Sequence, residues 1–300
     1  MKPARILVAG NCTVDWVCDP IAQPVGRNES VRVDAIEKRL GGCAANTARV
    51  LRGFGFDVTL VSRVGPDAEA EFVRSELQEH GLEIELPSSR RPTGVSFCFR
   101  GESGWRSFVS AQGANLDLDV EDVDAFLSEE FTALVLTGFL NQTNTALESR
   151  LIDCLNRVRA KGCLIALGVT GSTAPLVTPE LLARVDLLAA NEREAEGLDL
   201  EAPRVSVTTR GADGAVLRSA RFDVDIPGFE VDAIDSIGAG DAFLAGWVCA
   251  ATEGFDPKDR ARNERQVTWA AACGALACTT RGGGVPVSRE QVDALLATRR

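Results

Sequence analysis

The run Asp235-Ser-Ile-Gly-Ala-Gly-Asp-Ala-Phe243 holds the residue types in this chain best suited to chemistry. Two glycines flank an alanine, a carboxylate follows at Asp241, and Ala242, Phe243, Leu244 and Ala245 begin a helical run. Just upstream, the alternation Phe-Glu-Val-Asp-Ala-Ile over 229–234 predicts a strand. A glycine-rich turn from strand to helix lets the N–H groups of Ala239, Gly240 and Asp241 converge without side chains in the way. The helix dipole aims its positive end at the same spot, so the turn is built to hold an anion. A carboxylate beside an anion is unfavourable on charge alone. It makes sense if Asp241 takes the proton from a hydroxyl that attacks a phosphoryl group. The competing reading of a lone Gly-Ala-Gly is an ordinary turn whose small residues serve close packing.

A second glycine pair, in Gly41-Gly-Cys-Ala-Ala-Asn-Thr-Ala48, opens a helix that continues through Arg49-Val-Leu-Arg-Gly-Phe54. Together the two segments resemble the signature motifs of the ribokinase-like (PfkB) family of carbohydrate and nucleoside kinases. Further likenesses are co-linear with them. Asn191-Glu-Arg-Glu194 resembles the family's Asn-x-x-Glu, and Val207-Thr-Thr-Arg-Gly-Ala-Asp-Gly214 its strand-to-nucleotide-loop segment. Asp15, after the strand over 5–10, stands where the family keeps a substrate-binding Asp. The resemblance runs from residue 5 to about residue 286, nearly the whole chain.

The resemblance implies an α/β fold with a doubly wound, mostly parallel sheet and a small β lid. It also implies an ATP- and Mg²⁺-dependent kinase acting on a primary hydroxyl of a small sugar. Asp241 would be the general base, with Gly238, Ala239 and Gly240 as the anion hole. Asp15, Gly41, Gly42 and Asn46 would hold the sugar's hydroxyls. Asn191 would lie near the ATP phosphates, Glu194 would hold Mg²⁺ through water, and Thr209, Gly211 and Gly214 would border the adenosine. A K⁺ site in many relatives corresponds to Asp235, Ile237, Ala277, Thr280 and Gly282. Local readings compete at two of these positions: Glu194 as an acid favoured by a helix N-terminus, and Asn46 as a backbone cap. The chain departs from the family pattern at Leu167-Gly-Val-Thr170, where a polar pair is common, at Ile237, usually Thr, and at Ala270, commonly Asn.

Other functions on this fold remain open: a nucleoside kinase, a sugar-phosphate kinase, or a non-catalytic sugar or nucleotide sensor. The chain has no Tyr and only four Trp to stack a base, which favours a sugar. A phosphorylated sugar would call for lid arginines, for which Arg27, Arg32, Arg100 and Arg106 are candidates. The retained Gly-Ala-Gly-Asp speaks against a sensor.

Positioning these residues requires a sizeable scaffold, and 300 residues suit a single ribokinase-like domain. A formal net charge of −11 opposes a nucleic-acid partner but not a nucleotide held by local N–H groups. Short apolar runs at 6–9, 58–61, 133–136, 163–167, 185–189 and 205–208 predict strands, and 68–79, 145–160 and 257–279 predict helices. That alternation predicts a parallel sheet. Two stretches break the rhythm. Residues 12–40, with alternation over 31–36, and residues 92–110, with strands at 95–99 and 105–109 around a hairpin turn at 101–104, predict the lid. A one-faced lid with bare edges suggests a homodimer through it. Nine cysteines without a Cys-x-x-Cys read as small buried hydrophobes of a reducing cytoplasm. Cys43, inside a motif, is the exception. The single histidine, His80, ends a charged helix, so base work falls to a carboxylate. No leader-peptide pattern or membrane-length apolar run is present in this sequence.

Overall fold

A computed structural model describes residues 3–102, 106–139 and 145–298. The chain begins with β1 (Arg5–Gly10), then makes an excursion through β2 (Thr13–Cys18) and β3 (Ile36–Gly41) before α1 (Cys43–Gly53). It returns in β4 (Asp57–Val61), α2 (Ala68–Glu79) and β5 (Glu83–Glu85), and leaves again through β6 (Val95–Arg100) and β7 (Arg106–Ala111). Next come α3 (Val120–Asp124), β8 (Ala133–Thr137), α4 (Thr145–Ala160), β9 (Leu164–Gly168), α5 (Pro179–Leu182), β10 (Leu187–Asn191), α6 (Glu192–Ala195) and β11 (Val205–Thr209). An antiparallel pair, β12 (Ala215–Ser219) and β13 (Phe222–Ile226), precedes the helices α7 (Ala239–Thr252), α8 (Arg260–Ala277) and α9 (Arg289–Ala297).

Nine strands form one sheet in the order β13-β12-β11-β10-β9-β8-β1-β4-β5, parallel from β11 through β5 and antiparallel at β11-β12-β13. Successive residues of β1 face opposite layers. Ile6 and Val8 join a core with α1, α7 and α8, whereas Leu7 and Ala9 join one with α4 and α5. A strand covered on both faces reads as a continuous apolar run, which is why Ile-Leu-Val-Ala signals a strand without alternation. Helix α7 is also apolar nearly all round, since it lies between the sheet and α8, and Gly246 lets it approach Cys273 closely.

The second sheet has four strands in the order β3-β2-β6-β7. β2 pairs antiparallel with β3 and parallel with β6, and β6 pairs antiparallel with β7. Both excursions therefore build one lid, as expected, but two local expectations fail. The alternation at 31–36 lies mostly outside β3, which starts at Ile36, and 31–35 is coil or bend, exposed except for the half-buried Val33. Residues 229–234 form no strand: Phe229 is buried, but the N–H groups of Ile234 and Asp235 bond to Cys278 O beyond α8 rather than to a strand. Only Phe229 is buried in this stretch, Val231 is half-buried, and Ala233 and Ile234 are exposed, so the alternation of residue types has no sheet behind it. Residues 103–105, which carry much of the expected hairpin turn and the start of the expected 105–109 strand, lie outside the described residues.

Candidate active site

Helix α7 begins after Gly238, whose φ of 76° is in the left-handed region. A Cβ at 238 would lie 2.6 Å from the Cα of Gly283, so strain and space both require glycine. No side chain caps this helix start. The first α7 ladder bond runs from Ala242 N–H to Gly238 O at 2.9 Å, which leaves the earlier first-turn donors of Gly240 and Asp241 for another acceptor.

Asp241 sits in that first turn, half-buried. Its Oδ2 accepts a hydrogen bond from Asn46 Nδ2 at 2.8 Å, which ties α1 to α7 across 195 residues of sequence. Burial raises the carboxyl from 3.8 to about 7; the Asn46 amide and Cys43 thiol oppose the rise, and Glu194 and Asp15 add to it. The other amide atom of Asn46, Oδ1, is buried without a protein partner. Such an atom is costly unless something outside the chain bonds to it.

Asp15 lies in the middle of β2 and accepts from Thr13 Oγ1 at 2.7 Å. Its pKa is raised by burial, partly offset by that hydroxyl. A Cβ on Gly41 would stand 2.1 Å from the Asp15 carboxylate, so the first glycine of the pair makes room for the acid. Gly42 is the N-cap of α1, and Asn11 Oδ1 accepts from the next N–H, that of Cys43, at 3.0 Å.

Two cavities lie beside these groups. One, of about 160 Å³, is bordered by Asp15, Arg39, Arg49, Ile237, Arg281 and Gly282 among others. The other, of about 130 Å³, is bordered by Cys43, Asn191, Glu194, Thr209, Gly240 and Asp241. Its wall also includes Thr137 and Gly168, so β8, β9, β10 and β11 each contribute their last residue. This is the carboxyl edge where open α/β sheets collect ligands. Gly211 and Gly214 shape the tight connection from β11 to β12 and border neither cavity.

Glu194 and Asn191 form a capping box: Asn191 Oδ1 accepts from Glu194 N–H at 3.0 Å, and Glu194 Oε2 from Asn191 N–H at 2.9 Å. The capping geometry is real, and the same carboxylate borders the second cavity with its pKa raised by burial. Asp235 is buried. Its oxygens accept from Ile237 N–H at 3.0 Å and Gly282 N–H at 3.1 Å, with Arg100 at 3.8 Å and Arg106 at 4.0 Å. Ala270 is fully buried behind α7, next to Gly246. His80 is the C-cap of α2, its pKa lowered by burial, and borders neither cavity. Among the described residues, no three His, Cys, Asp or Glu side chains group closely enough to hold a metal ion, and no helix is long and apolar enough to cross a membrane.

Sequence reasoning missed Asn11, Arg39, Arg49 and Arg281. Arg49 carried a usable signal, since it follows Asn46 by three residues on one helix face. Arg39 is brought in by its place opposite Asp15 in the β2–β3 ladder, which no local pattern encodes.

The geometry matches a known class. Residues 3–290 match the model of the pfkB family of carbohydrate kinases, and the chain belongs to that family. It is thus a carbohydrate kinase, of a class that uses ATP and a divalent cation. Among curated relatives it is 27% identical over 307 residues to an ATP-dependent ribose-1-phosphate kinase of Halopiger xanaduensis, covering 98% of this chain and 99% of that one. It is 28% identical to a 2-dehydro-3-deoxygalactonokinase of Haloferax volcanii, covering 92% and 93%. Among solved structures, a ribokinase from Giardia lamblia superposes with a TM-score of 0.85 at 19% identity over 100% of both chains. A fructokinase with bound ATP from Xylella fastidiosa gives 0.80 at 20% identity over 98% of each.

Proposed function

We propose that this chain transfers the γ-phosphoryl group of ATP to a primary hydroxyl of a small sugar, with Asp241 as the general base. The observation that carries the reading is Asp241 itself: a carboxylate with a pKa of about 7, fixed by Asn46 at the uncapped start of α7. At neutral pH a group so tuned can take a proton and also be found without one. The acceptor hydroxyl gives its proton to Asp241, its oxygen bonds to the γ-phosphorus, and the bond to the ADP oxygen breaks. Charge gathering on the moving phosphoryl group meets the N–H groups of Gly240 and Asp241 in the Gly238-Ala239-Gly240 turn, since that of Ala239 already donates to Ser236 O.

The acceptor occupies the side of Asp15 and Asn46, where Gly41 and Gly42 shape the wall and the buried Asn46 Oδ1 awaits a donor. The nucleotide occupies the carboxyl edge bordered by Asn191 and Thr209, with Gly211 and Gly214 framing the loop toward its adenosine. Glu194 fits Mg²⁺ held through water: a single carboxylate suits a cation that keeps most of its hydration and otherwise binds phosphates. When bound, that cation neutralises charge on the transferring phosphates. Asp235 fits K⁺ poorly, because two N–H groups and two guanidiniums already surround its carboxylate. Neither cavity wall includes an aromatic ring among the described residues, which favours a sugar over a nucleoside.

The nine unpaired cysteines, seven of them buried, support a reducing cytoplasm as the working compartment. A homodimer through the lid is supported by Phe97 and Val109, which face each other across β6–β7 with exposures of 44% and 63%. The deciding experiment is Asp241→Asn assayed for ADP release with saturating ATP and a panel of sugars. A folded variant with wild-type turnover would end the mechanism.

A further inference from the structure

The first cavity holds more positive charge than a neutral sugar needs, and any subsite in it rests on the proposed placement of the acceptor at Asp15, Asn46 and Asp241. Arg39 stands directly across the β2–β3 ladder from Asp15, so both project from one face of the lid. Its Nε donates to Glu37 at 2.8 Å and its Nη2 also contacts Glu37, while Nη1 is buried without a protein partner. Arg49 follows Asn46 by three residues on α1, about 5 Å along the same helix face. Its Nη1 donates to Gly283 O at 3.2 Å, while Nε is buried without a partner. Arg281 heads the glycine loop 282–284 and borders the same cavity.

The nearby carboxylates offset part of this charge: Glu37 accepts from two nitrogens of Arg39 and also feels Arg281, which leaves the unpartnered donors Arg39 Nη1 and Arg49 Nε. Asp15 belongs to the hydroxyl site, and Glu76, the other acid on the wall, faces Arg49. Lys38 also borders the cavity but is directed elsewhere, 3.9 Å from Glu69 and over the rings of Trp16 and Phe72. Buried guanidinium donors without acceptors are unfavourable in a finished fold. Two in one cavity, joined by a third arginine, have the fork geometry that reads an oxyanion. The arginines suggested by sequence are placed otherwise: Arg100 and Arg106 turn to Asp235, and Arg27 and Arg32 lie in an exposed stretch off the cavity wall.

We infer that Arg39, Arg49 and Arg281 form an anion-reading subsite at the far end of the acceptor pocket, so that the sugar receiving the phosphoryl group already carries a phosphate. Asn46 holds the hydroxyl end and Arg49, one helical turn on, the charged end; a single ring spans the two. A sugar acid shares the oxyanion chemistry but brings one charge in a plane, where three arginines bordering one cavity suit the dianion of a phosphate monoester.

The test compares kcat/KM of the wild-type enzyme for a neutral pentose, its phosphate monoester and an aldonic acid of the same length. The monoester should exceed the pentose by about 100-fold, as expected for two charge-assisted hydrogen bonds. Arg49→Met and Arg281→Met should each lower that ratio by about tenfold. Inorganic phosphate should compete with the acceptor and do so more weakly in Arg281→Met, a change at an exposed residue that leaves the core intact. Equal use of pentose and monoester, or an unchanged ratio in both variants, overturns the subsite. Preference for the acid over the monoester overturns the phosphate assignment. These failures differ from failure of the kinase reading, which would show as Asp241→Asn turning over every acceptor like the wild type.

Discussion

The large sheet buries its strands on both faces, whereas the small one leaves much of itself in water. Five of the six residues of β1 are buried, and none of β7 is. The ends of the buried strands supply the wall beside Asp241, while the lid supplies Asp15 and Arg39 to the other cavity. Groups fixed by a two-faced core are hard to shift without cost, because native packing resists even small changes in volume. A lid residue is bound by fewer constraints, so its identity can follow the substrate. Under the proposed function, chemistry and selectivity would be carried by parts of the molecule with different tolerance to change.

Mutations can break this division. Asp241→Asn, at the core end, should lower kcat by ~10²–10⁴ with little change in nucleotide affinity, measured by ADP release and nucleotide titration. The wild-type rate should fall on the acid side with an apparent pKa near 7, since Asp241 must be ionised to act, and a limb near 4 would count against it. The same shift sets the sign of the stability change. The folded state favours the neutral carboxyl, so this group's unfavourable contribution grows as pH rises from the unfolded value of 3.8 through about 7. Asp241→Asn should therefore melt above the wild type at pH 8 and lose that advantage below pH 4.

On the lid side, Asp15→Ala should raise the acceptor KM about tenfold, from roughly 1–3 kcal/mol of lost hydrogen bonding, while the ATP KM stays put. Equal rises in both constants would point to damage shared by core and lid. Val109→Lys should shift a dimer toward monomer in light scattering if the lid is the contact; an unchanged mass would remove that role. Glu194→Gln should raise the Mg²⁺ needed for half-maximal rate; a purely capping role predicts only a stability loss of ~0.3–1 kcal/mol. The smallest effect is at Asp235: exchanging K⁺ for Na⁺ should leave the rate unchanged, and strong K⁺ activation would restore the cation site.

The core was legible where pattern and burial coincide. The helices over 68–79 and 145–160 match α2 and α4, and the apolar runs of the parallel strands lie within a residue or two of their positions. The Gly-Ala-Gly-Asp segment could be read as a helix start because the left-handed Gly238, packed against Gly283, needs a glycine there. What stayed hidden is set by long-range pairing. The alternation at 31–36 marked β3 five residues early because exposed coil alternates by chance, and the alternation at 229–234 has only Phe229 buried behind it. Arg39 reaches the cavity through cross-strand register, and Asp235 is enclosed by arginines from β6 and β7, neither of which leaves a mark in the local sequence.

The β2–β6 pairing is parallel and joins two excursions separated by α1, β4, α2 and β5. Neither excursion can complete the lid by itself, and a contact so distant in sequence must await closure of the long intervening loop. The lid should therefore be the last part of the molecule to form and the first to open. In native-state hydrogen exchange, the amides of β2 and β6 should exchange together, ahead of those in β1 and β8. Folding would then have an order: the framework around Asp241 is in place before the lid that completes the cavity beside Asp15.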